Sequence, residues 1–312
     1  TSRLAWGTFM RTPLYPPLLG REPCLDAEVA HVHGPSPWFD LALLTARRRW
    51  RRTVLTVHNS FPQSTRLQRW LGRPGRALLR KTVERSDLVI GPHRGFVEEL
   101  YGLLRLPTPS DRLRLVPPGV DHERFRPTGR AREYDLVLFV AHVRPEKGLH
   151  VLVESMRRLP HLRLEVLYGV SYERSYFEAV RAHAVRSLGG RVRFVEAPTE
   201  SEMLEAYNRA ACVAVPSTRL ESWNLVLLEA AACGAACVRS DLPGLAWADF
   251  ALPAAAGDAG DLAAQIERAL AERPALEGKS RDAASQYTWD RTHRESLAAC
   301  EYALRHGPAV RE

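Results

Sequence analysis

Arg112-Leu-Arg-Leu-Val116-Pro-Pro-Gly-Val-Asp121 carries an apolar run into a Pro-Pro-Gly turn, and Asp135-Leu-Val-Leu-Phe-Val-Ala141 starts another after a polar interval. That restart decides the fold. Upstream of it, short β-branched and leucine-rich runs at 29–33, 53–58, 87–91 and 112–116 alternate with amphipathic stretches at 39–48, 66–84 and 96–104. Strand-length runs separated by helix-period stretches are βαβ units, and these require a parallel sheet. Downstream, runs at 135–141, 162–168, 191–195, 212–215 and 236–239 alternate with helical patterns near 148–158, 172–187, 200–210, 224–233, 259–272 and 290–305. The 312 residues therefore divide into two parallel α/β domains. Their expected bounds are 1–125 and 126–290, with a last helix in 291–312 packing back toward the first domain. Open parallel sheets bind ligands outside the C-terminal ends of their strands, so two facing sheets put the site in the cleft between them.

Charge separates the same two halves. The overall balance is +8, but residues 1–130 carry 22 Lys+Arg against 11 Asp+Glu, and the remainder is slightly acidic. Between Arg47 and Lys81 there are eleven cations and no acid, which points to an anionic surface or ligand. Only Lys81, Lys147 and Lys279 are lysines, so a single lysine carries more information here than a single arginine. No apolar run approaches the roughly 18 residues that span a bilayer; the run from Ala230 to Val238 is interrupted by Gly234. There is no charged-then-apolar leader, and five scattered cysteines leave one unpaired, so neither secretion nor a disulfide framework is expected. Cys233 and Cys237 read as small core residues rather than a metal pair. The chain begins with Thr1, as a fragment would.

Two segments could carry chemistry. In Pro216-Ser-Thr-Arg-Leu-Glu221-Ser-Trp-Asn-Leu-Val-Leu-Leu-Glu229 a strand ends, a loop presents Glu221, and a helix begins near Asn224 with Glu229 on its second turn. A helix N-terminus offers unpaired amides and positive dipole charge to a phosphate, while two carboxylates can accept from sugar or ribose hydroxyls. The alternative is a capped helix with surface glutamates. In Val140-Ala-His142-Val-Arg144-Pro-Glu-Lys147-Gly148 cations stand at the mouth of the second sheet, where a diphosphate would fit or where a helix simply starts in solvent.

Taken together with Val116-Pro-Pro-Gly-Val-Asp121 and Tyr287-Thr-Trp-Asp290, these motifs resemble, in order and spacing, the family four retaining glycosyltransferases of the GT-B fold. The resemblance covers most of the chain. It implies two Rossmann-like domains facing a cleft and a nucleotide-diphosphate sugar as co-substrate, with no metal and no other cofactor. Glu221 would bind hydroxyls of the donor sugar, with the backbone amides of Ser222, Trp223, Asn224 and Leu225 near sugar and diphosphate. Glu229 would hold the ribose, and Lys147 would neutralise the diphosphate as it leaves, an interaction that strengthens as charge develops. Leu55-Thr-Val-His58-Asn-Ser-Phe61 resembles the segment whose histidine lies beside the reacting sugar, which makes His58 and Glu221 the expected catalytic pair. His31 and His33 share a strand face, but no third ligand is apparent, so they are not read as a metal site.

Departures from the pattern matter too. His142 stands where the family usually has an arginine, leaving Arg144 or Arg219 to supply that charge. Asn224 replaces a usual glycine, and Asn tolerates positive φ better than most residues. Only about 30 residues, with Gly7 and Gly20 isolated, precede Ala30-His-Val-His33-Gly, so the first domain is expected to lack its opening strand and Gly-rich loop.

Arg66, Arg69, Arg73, Arg76 and Arg80 would occupy one helical face about 80° wide, although Pro74-Gly75 should break that helix in two. The stripe suits attachment to an anionic membrane surface, each arginine contributing about 1 kcal/mol, or else is a solvated face. The expected protein is cytoplasmic, with peripheral attachment at the inner membrane face. Its acceptor would be a glycan, a lipid-linked or a small molecule. The alternatives are a catalytically inactive GT-B subunit that binds a nucleotide sugar or a partner, and a basic nucleic-acid-binding protein. No nucleic acid is expected, since no such module signature is present and aromatics do not interleave the arginines.

Overall fold

The computed structural model describes residues 27–34, 50–58, 66–109, 111–169, 173–219 and 221–306. Its first part contains β1 (Val29–Gly34), β2 (Arg52–Val57), α1 (Arg66–Arg85), β3 (Leu88–Gly91), α2 (Arg94–Leu104) and β4 (Leu113–Leu115). The four strands pair in parallel in the order β1-β2-β3-β4. Alternation along β2 divides its side chains between two cores. Leu55 and Val57 join Leu79, Val83, Phe96 and Leu100 on one face, and Val54 joins Leu88, Ile90 and Val116 on the other. At about 1.5–3 kcal/mol for each large apolar side chain buried, these two layers hold the small sheet together.

The second part runs β5 (Glu133–Val140), α3 (Leu149–Arg157), β6 (Arg163–Tyr168), α4 (Arg174–Leu188), β7 (Val192–Glu196), α5 (Glu200–Arg209), β8 (Ala210–Val215), α6 (Leu225–Ala232), β9 (Ala236–Ser240), β10 (Leu252–Ala254), α7 (Ala259–Ala271) and α8 (Arg273–Ser285). Its six strands, all parallel, are ordered β10-β9-β8-β5-β6-β7. Period-two burial again builds two cores, with Val137, Phe139, Cys212 and Ala214 on one side and Leu138, Val213, Val215 and Cys237 on the other. Cys233 and Cys237 lie in the second of these cores, and burial pushes the Cys233 thiol up to about 12.

The chain crosses between the sheets twice at one place. Val120 forms a parallel bridge with Thr288, and a Cβ on Gly119 would lie 2.2 Å from the Thr288 carbonyl carbon, so only glycine lets the two crossings touch. After the second crossing α9 (Trp289–His306) packs Ala299 and Ala303 against Val54, Leu88 and Ile90 of the first sheet. The buried Arg52 guanidinium donates to the Ala303 carbonyl at 2.9 Å, satisfying one of the carbonyls that every helix end leaves open.

Three details differ from the sequence reading. α1 is continuous through Pro74. That proline is exposed, so its ring does not intrude on the core even though it supplies no N–H to the helical ladder. β10 and α8 escaped the periodicity reading because Pro253 and Pro274 read as breakers. Pro253 sits on an edge strand and Pro274 in the first turn of its helix, where a missing N–H costs little. The helix expected at 39–48, the opening-strand region before residue 27 and the segment 59–61 after His58 lie outside the described residues.

Candidate active site

At the C-terminal end of β5 the chain makes a single 3-10 turn, Pro145–Lys147, closed by Gly148 with φ of 72°. The positive φ is one reason for glycine there. Another is contact, since a Cβ on Gly148 would lie 1.8 Å from the Pro216 carbonyl oxygen. The loop after β8 is thereby laid directly on the turn after β5, and Thr218 N donates to Glu146 O at 2.8 Å. This docking brings Lys147 to Glu221. Lys147 Nζ and Ser217 Oγ each donate to Glu221 Oε1 at 2.6 Å. Glu221 is 8% exposed, so its charge is compensated where water has little access. A further glycine supports the arrangement from behind, because a Cβ on Gly244 would lie 1.7 Å from the Glu221 carbonyl oxygen.

Asn224 caps α6, its Oδ1 accepting from Leu227 N at 3.1 Å. Its φ is −104°, so the asparagine serves as an N-cap and not as the positive-φ residue anticipated from the sequence. Ser222 and Trp223 precede the cap and Leu225 opens the helix. The Trp223 ring stacks on Trp247 at 3.8 Å, with Tyr287 edge-on at 5.3 Å, so what this residue turns into the aromatic cluster is its side chain.

Glu229, one turn into α6, lines a cavity of about 550 Å³ with Asp121, His122, Arg124, Thr288 and Trp289. Tyr207 OH donates to Glu229 Oε2 at 2.7 Å. Burial pushes the Glu229 carboxyl above its usual range, against the pull of that bond and of the Arg124 charge.

His142 does not replace the missing arginine charge. Desolvation, then the neighbouring Arg144 and Lys147 charges, hold its pKa below the ordinary histidine value, so it is neutral at pH 7. The cations at this mouth are Lys147 and Arg144, the latter 3.6 Å from Glu146. Arg219 is exposed on the loop before Glu221.

In the first sheet, His58 follows β2 and forms a line with His33 and His31. His33 Nδ1 and His58 Nε2 are 2.7 Å apart with the rings stacked, and His31 Nε2 meets Thr56 Oγ1 at 2.7 Å. Parallel register puts β1 and β2 side by side and so aligns these rings. Desolvation, with repulsion among the three rings, lowers His31 and His58 to about 4, and desolvation lowers His33 too. All three are neutral at pH 7. No hydrogen bond or ion pair among the described residues joins them to Glu221 or Lys147, so the structure assembles two separate clusters. The sequence reading missed His93 between β3 and α2, whose Nε2 lies 2.9 Å from the Gly244 carbonyl oxygen. The available signal was its place at a strand end with Gly95 two residues on. Tyr207, fully buried behind Glu229, had no such signal.

Comparison with known proteins fits this framework. The family model described as glycosyl transferases group 1 matches residues 121–289, and the glycosyltransferase family 4 model matches residues 6–124. A D-inositol 3-phosphate glycosyltransferase of Geodermatophilus obscurus is 33% identical over 208 residues, 59% of this chain and 46% of that protein. That of Frankia alni is 32% identical over 237 residues, 68% and 57% respectively. The chain thus spans about half the length of the curated relatives it matches. Among solved structures, sucrose-phosphate synthase of Thermosynechococcus elongatus superposes with a TM-score of 0.74 at 24% identity, covering 87% of this chain and 74% of that one. The Anabaena protein HepE, in complex with UDP-glucose, gives 0.71 at 15% identity over 86% and 78%. With two parallel sheets arranged as in these GT-B structures and the group 1 model matching more than half of its residues, the chain belongs to the family 4, group 1 glycosyl transferases.

Proposed function

We propose that the protein transfers a sugar from a nucleotide-diphosphate sugar to an acceptor hydroxyl, with retention of anomeric configuration and without a metal. The observation that carries this reading is the convergence of Lys147, Ser217 and Glu221 beside the N-terminus of the helix that bears Glu229. Both donors to Glu221 engage Oε1, so Oε2 is the oxygen that accepts from hydroxyls of the donor sugar. The diphosphate takes Lys147 with Arg144 beside it, together with the amides at the start of α6. As the bond to the anomeric carbon breaks, negative charge grows on the diphosphate and the Lys147 interaction strengthens with it. That supplies the leaving-group stabilisation for which other enzymes use a metal ion. The ribose hydroxyls fall to Glu229, which Tyr207 holds in place. His58 has Nε2 engaged by His33, so its Nδ1 is the nitrogen that meets the reacting sugar.

The names of the relatives and neighbours set the order of testing. A thermal-shift screen of UDP, GDP and ADP sugars, beginning with UDP-glucose, identifies the donor, because a bound ligand raises the melting temperature according to its concentration relative to Kd. D-inositol 3-phosphate is the first acceptor to try, followed by glycan and lipid-linked acceptors, with the product anomer assigned by NMR. If none of these nucleotide sugars shifts the melting temperature, the reading fails.

The location that fits this reading is the cytoplasmic face of a membrane. Arg76, Arg80 and Lys81 lie on the C-terminal half of α1, in a stretch that carries no acid before Glu84. No helix among the described residues is long and apolar enough to cross a membrane, so attachment would be electrostatic and peripheral. Liposomes rich in anionic lipid should sediment the protein at low salt and release it as salt is raised.

A further inference from the structure

We propose that His93, in the first domain, is a positioning residue for Glu221 in the second. This rests on the glycosyltransferase reading for its consequence but not for its geometry. His93 follows β3 and precedes α2, and its Nε2 donates across the domain boundary to the Gly244 carbonyl at 2.9 Å. The backbone of Ser222 also lies beside the ring, and the Trp223 ring is 6.1 Å away. Ser222 and Trp223 are the two residues directly after Glu221. Gly244 is in turn pressed on Glu221, where a Cβ would stand 1.7 Å from the Glu221 carbonyl oxygen.

One imidazole thus holds the Glu221 loop by a hydrogen bond to the glycine against which that loop rests, with its ring beside the two residues that follow Glu221. The grip belongs to a wider contact. A Cβ on Gly95 would lie 2.5 Å from the Pro243 carbonyl oxygen, so the start of α2 touches the turn Pro243–Leu245 with no room between. The loop that carries Glu221 is therefore fixed by the opposite domain. A carboxylate must be held within about half an ångström to favour one geometry of a bound sugar. The ribose end, at Glu229, is fixed within the second domain by Tyr207 and takes nothing from His93. His93 accordingly matters for the sugar and not for the nucleoside.

Two variants separate these effects. His93→Phe keeps a ring of similar size and removes the hydrogen bond to the Gly244 carbonyl, whereas His93→Gln retains an N–H donor. Amide hydrogen exchange, followed by mass spectrometry without any ligand, should speed up in peptides covering 217–225 and 243–246 in H93F and stay near wild type in H93Q. With UDP-glucose as the probe, H93F should bind about tenfold more weakly, the usual weight of a lost hydrogen bond, while UDP binds unchanged. H93Q should recover most of the loss. Gly95→Ala gives an independent route, since alanine suits the helix but its Cβ forces the same contact apart. It should reproduce the selective loss of UDP-glucose, and it keeps the test decisive if H93F fails to fold. Unchanged exchange in the 217–225 peptides of H93F, or of G95A in its place, overturns the proposal whether or not any nucleotide sugar binds. Equal weakening of UDP and UDP-glucose, without rescue in H93Q, overturns it as well and assigns His93 to bulk stability. A wild-type protein that binds none of the nucleotide sugars sinks the glycosyltransferase reading alone, and the exchange data still decide the clamp.

Discussion

The cluster around Glu221 and the histidine row around His58 are organised on opposite principles. Around Glu221, unlike charges meet directly, with Lys147 and Ser217 on a single carboxylate oxygen, and two glycines let backbone press on backbone to hold them there. Around His58, three like groups stand side by side on adjacent parallel strands, and they coexist because all three stay uncharged. The first arrangement is a charge site built by close packing. The second is a row of polar groups that takes on charge only as pH falls.

The contrast can be broken most sharply at Glu221. Glu221→Ala should lower kcat/KM for the donor by at least about 100-fold while circular dichroism shows an intact fold. Unchanged kinetics would remove Glu221 from the site. Next comes the packing that supports it. Gly148→Ala places a Cβ 1.8 Å from the Pro216 carbonyl oxygen at φ of 72°. The left-handed backbone alone costs about 1–2 kcal/mol, so denaturant midpoints should fall and donor binding with them. A G148A protein of wild-type stability would mean that the loop and the turn are not in contact.

A subtler change lies behind Glu229. Tyr207→Phe removes the 2.7 Å bond to its carboxylate, raises the Glu229 pKa further and should cost about 1 kcal/mol in stability. UDP affinity, measured by calorimetry, should drop more as the pH is lowered than it does for wild type. The histidine row sharpens the other side of the comparison. Desolvation holds the pKa values of His31 and His58 down at about 4 in the folded protein, against about 6.5 for a free imidazole. Between those values the unfolded chain binds protons that the folded one refuses, so stability is level above about pH 6.5 and declines as pH falls toward 4. His58→Gln should flatten part of that decline in urea titrations, and an unaltered slope would show that the row is not responsible.

Much of this was legible in the sequence because strand runs such as 135–141 and 212–215 are strongly apolar and the helices between them strongly periodic. The short edge strand Leu252–Ala254 carries a proline and too few residues to show a period, and α8 begins with Arg273-Pro274, which reads as a stop. Within the site, residue types at strand ends marked Lys147, Glu221 and Glu229, but no periodicity encodes that Lys147 meets Glu221. That pairing follows from where Gly148 allows two loops to touch. Asn224 was singled out for its tolerance of positive φ and turned out to be a helix cap, since the same short amide serves both purposes. His93 was invisible for a different reason: its partner is a backbone carbonyl 151 residues away, and a carbonyl leaves no mark in the identity of the residue that bears it.

The return of α9 to the first sheet has a consequence for how the protein is made. Val54, Leu88, Ile90 and Val116 are synthesised early, yet the helix that covers them with Ala299 and Ala303 leaves the ribosome only after the entire second domain. Domains generally fold as units during synthesis, at about 5–20 residues per second. One face of the first sheet must therefore wait, apolar and uncovered, for roughly ten seconds or more at that pace while about 180 further residues are added. Aggregation during expression is expected to begin from that face. A chain cut after Tyr287 would keep the second sheet and expose the first permanently, so co-expression with a holdase chaperone should raise the soluble yield of such a truncation far more than that of the whole chain.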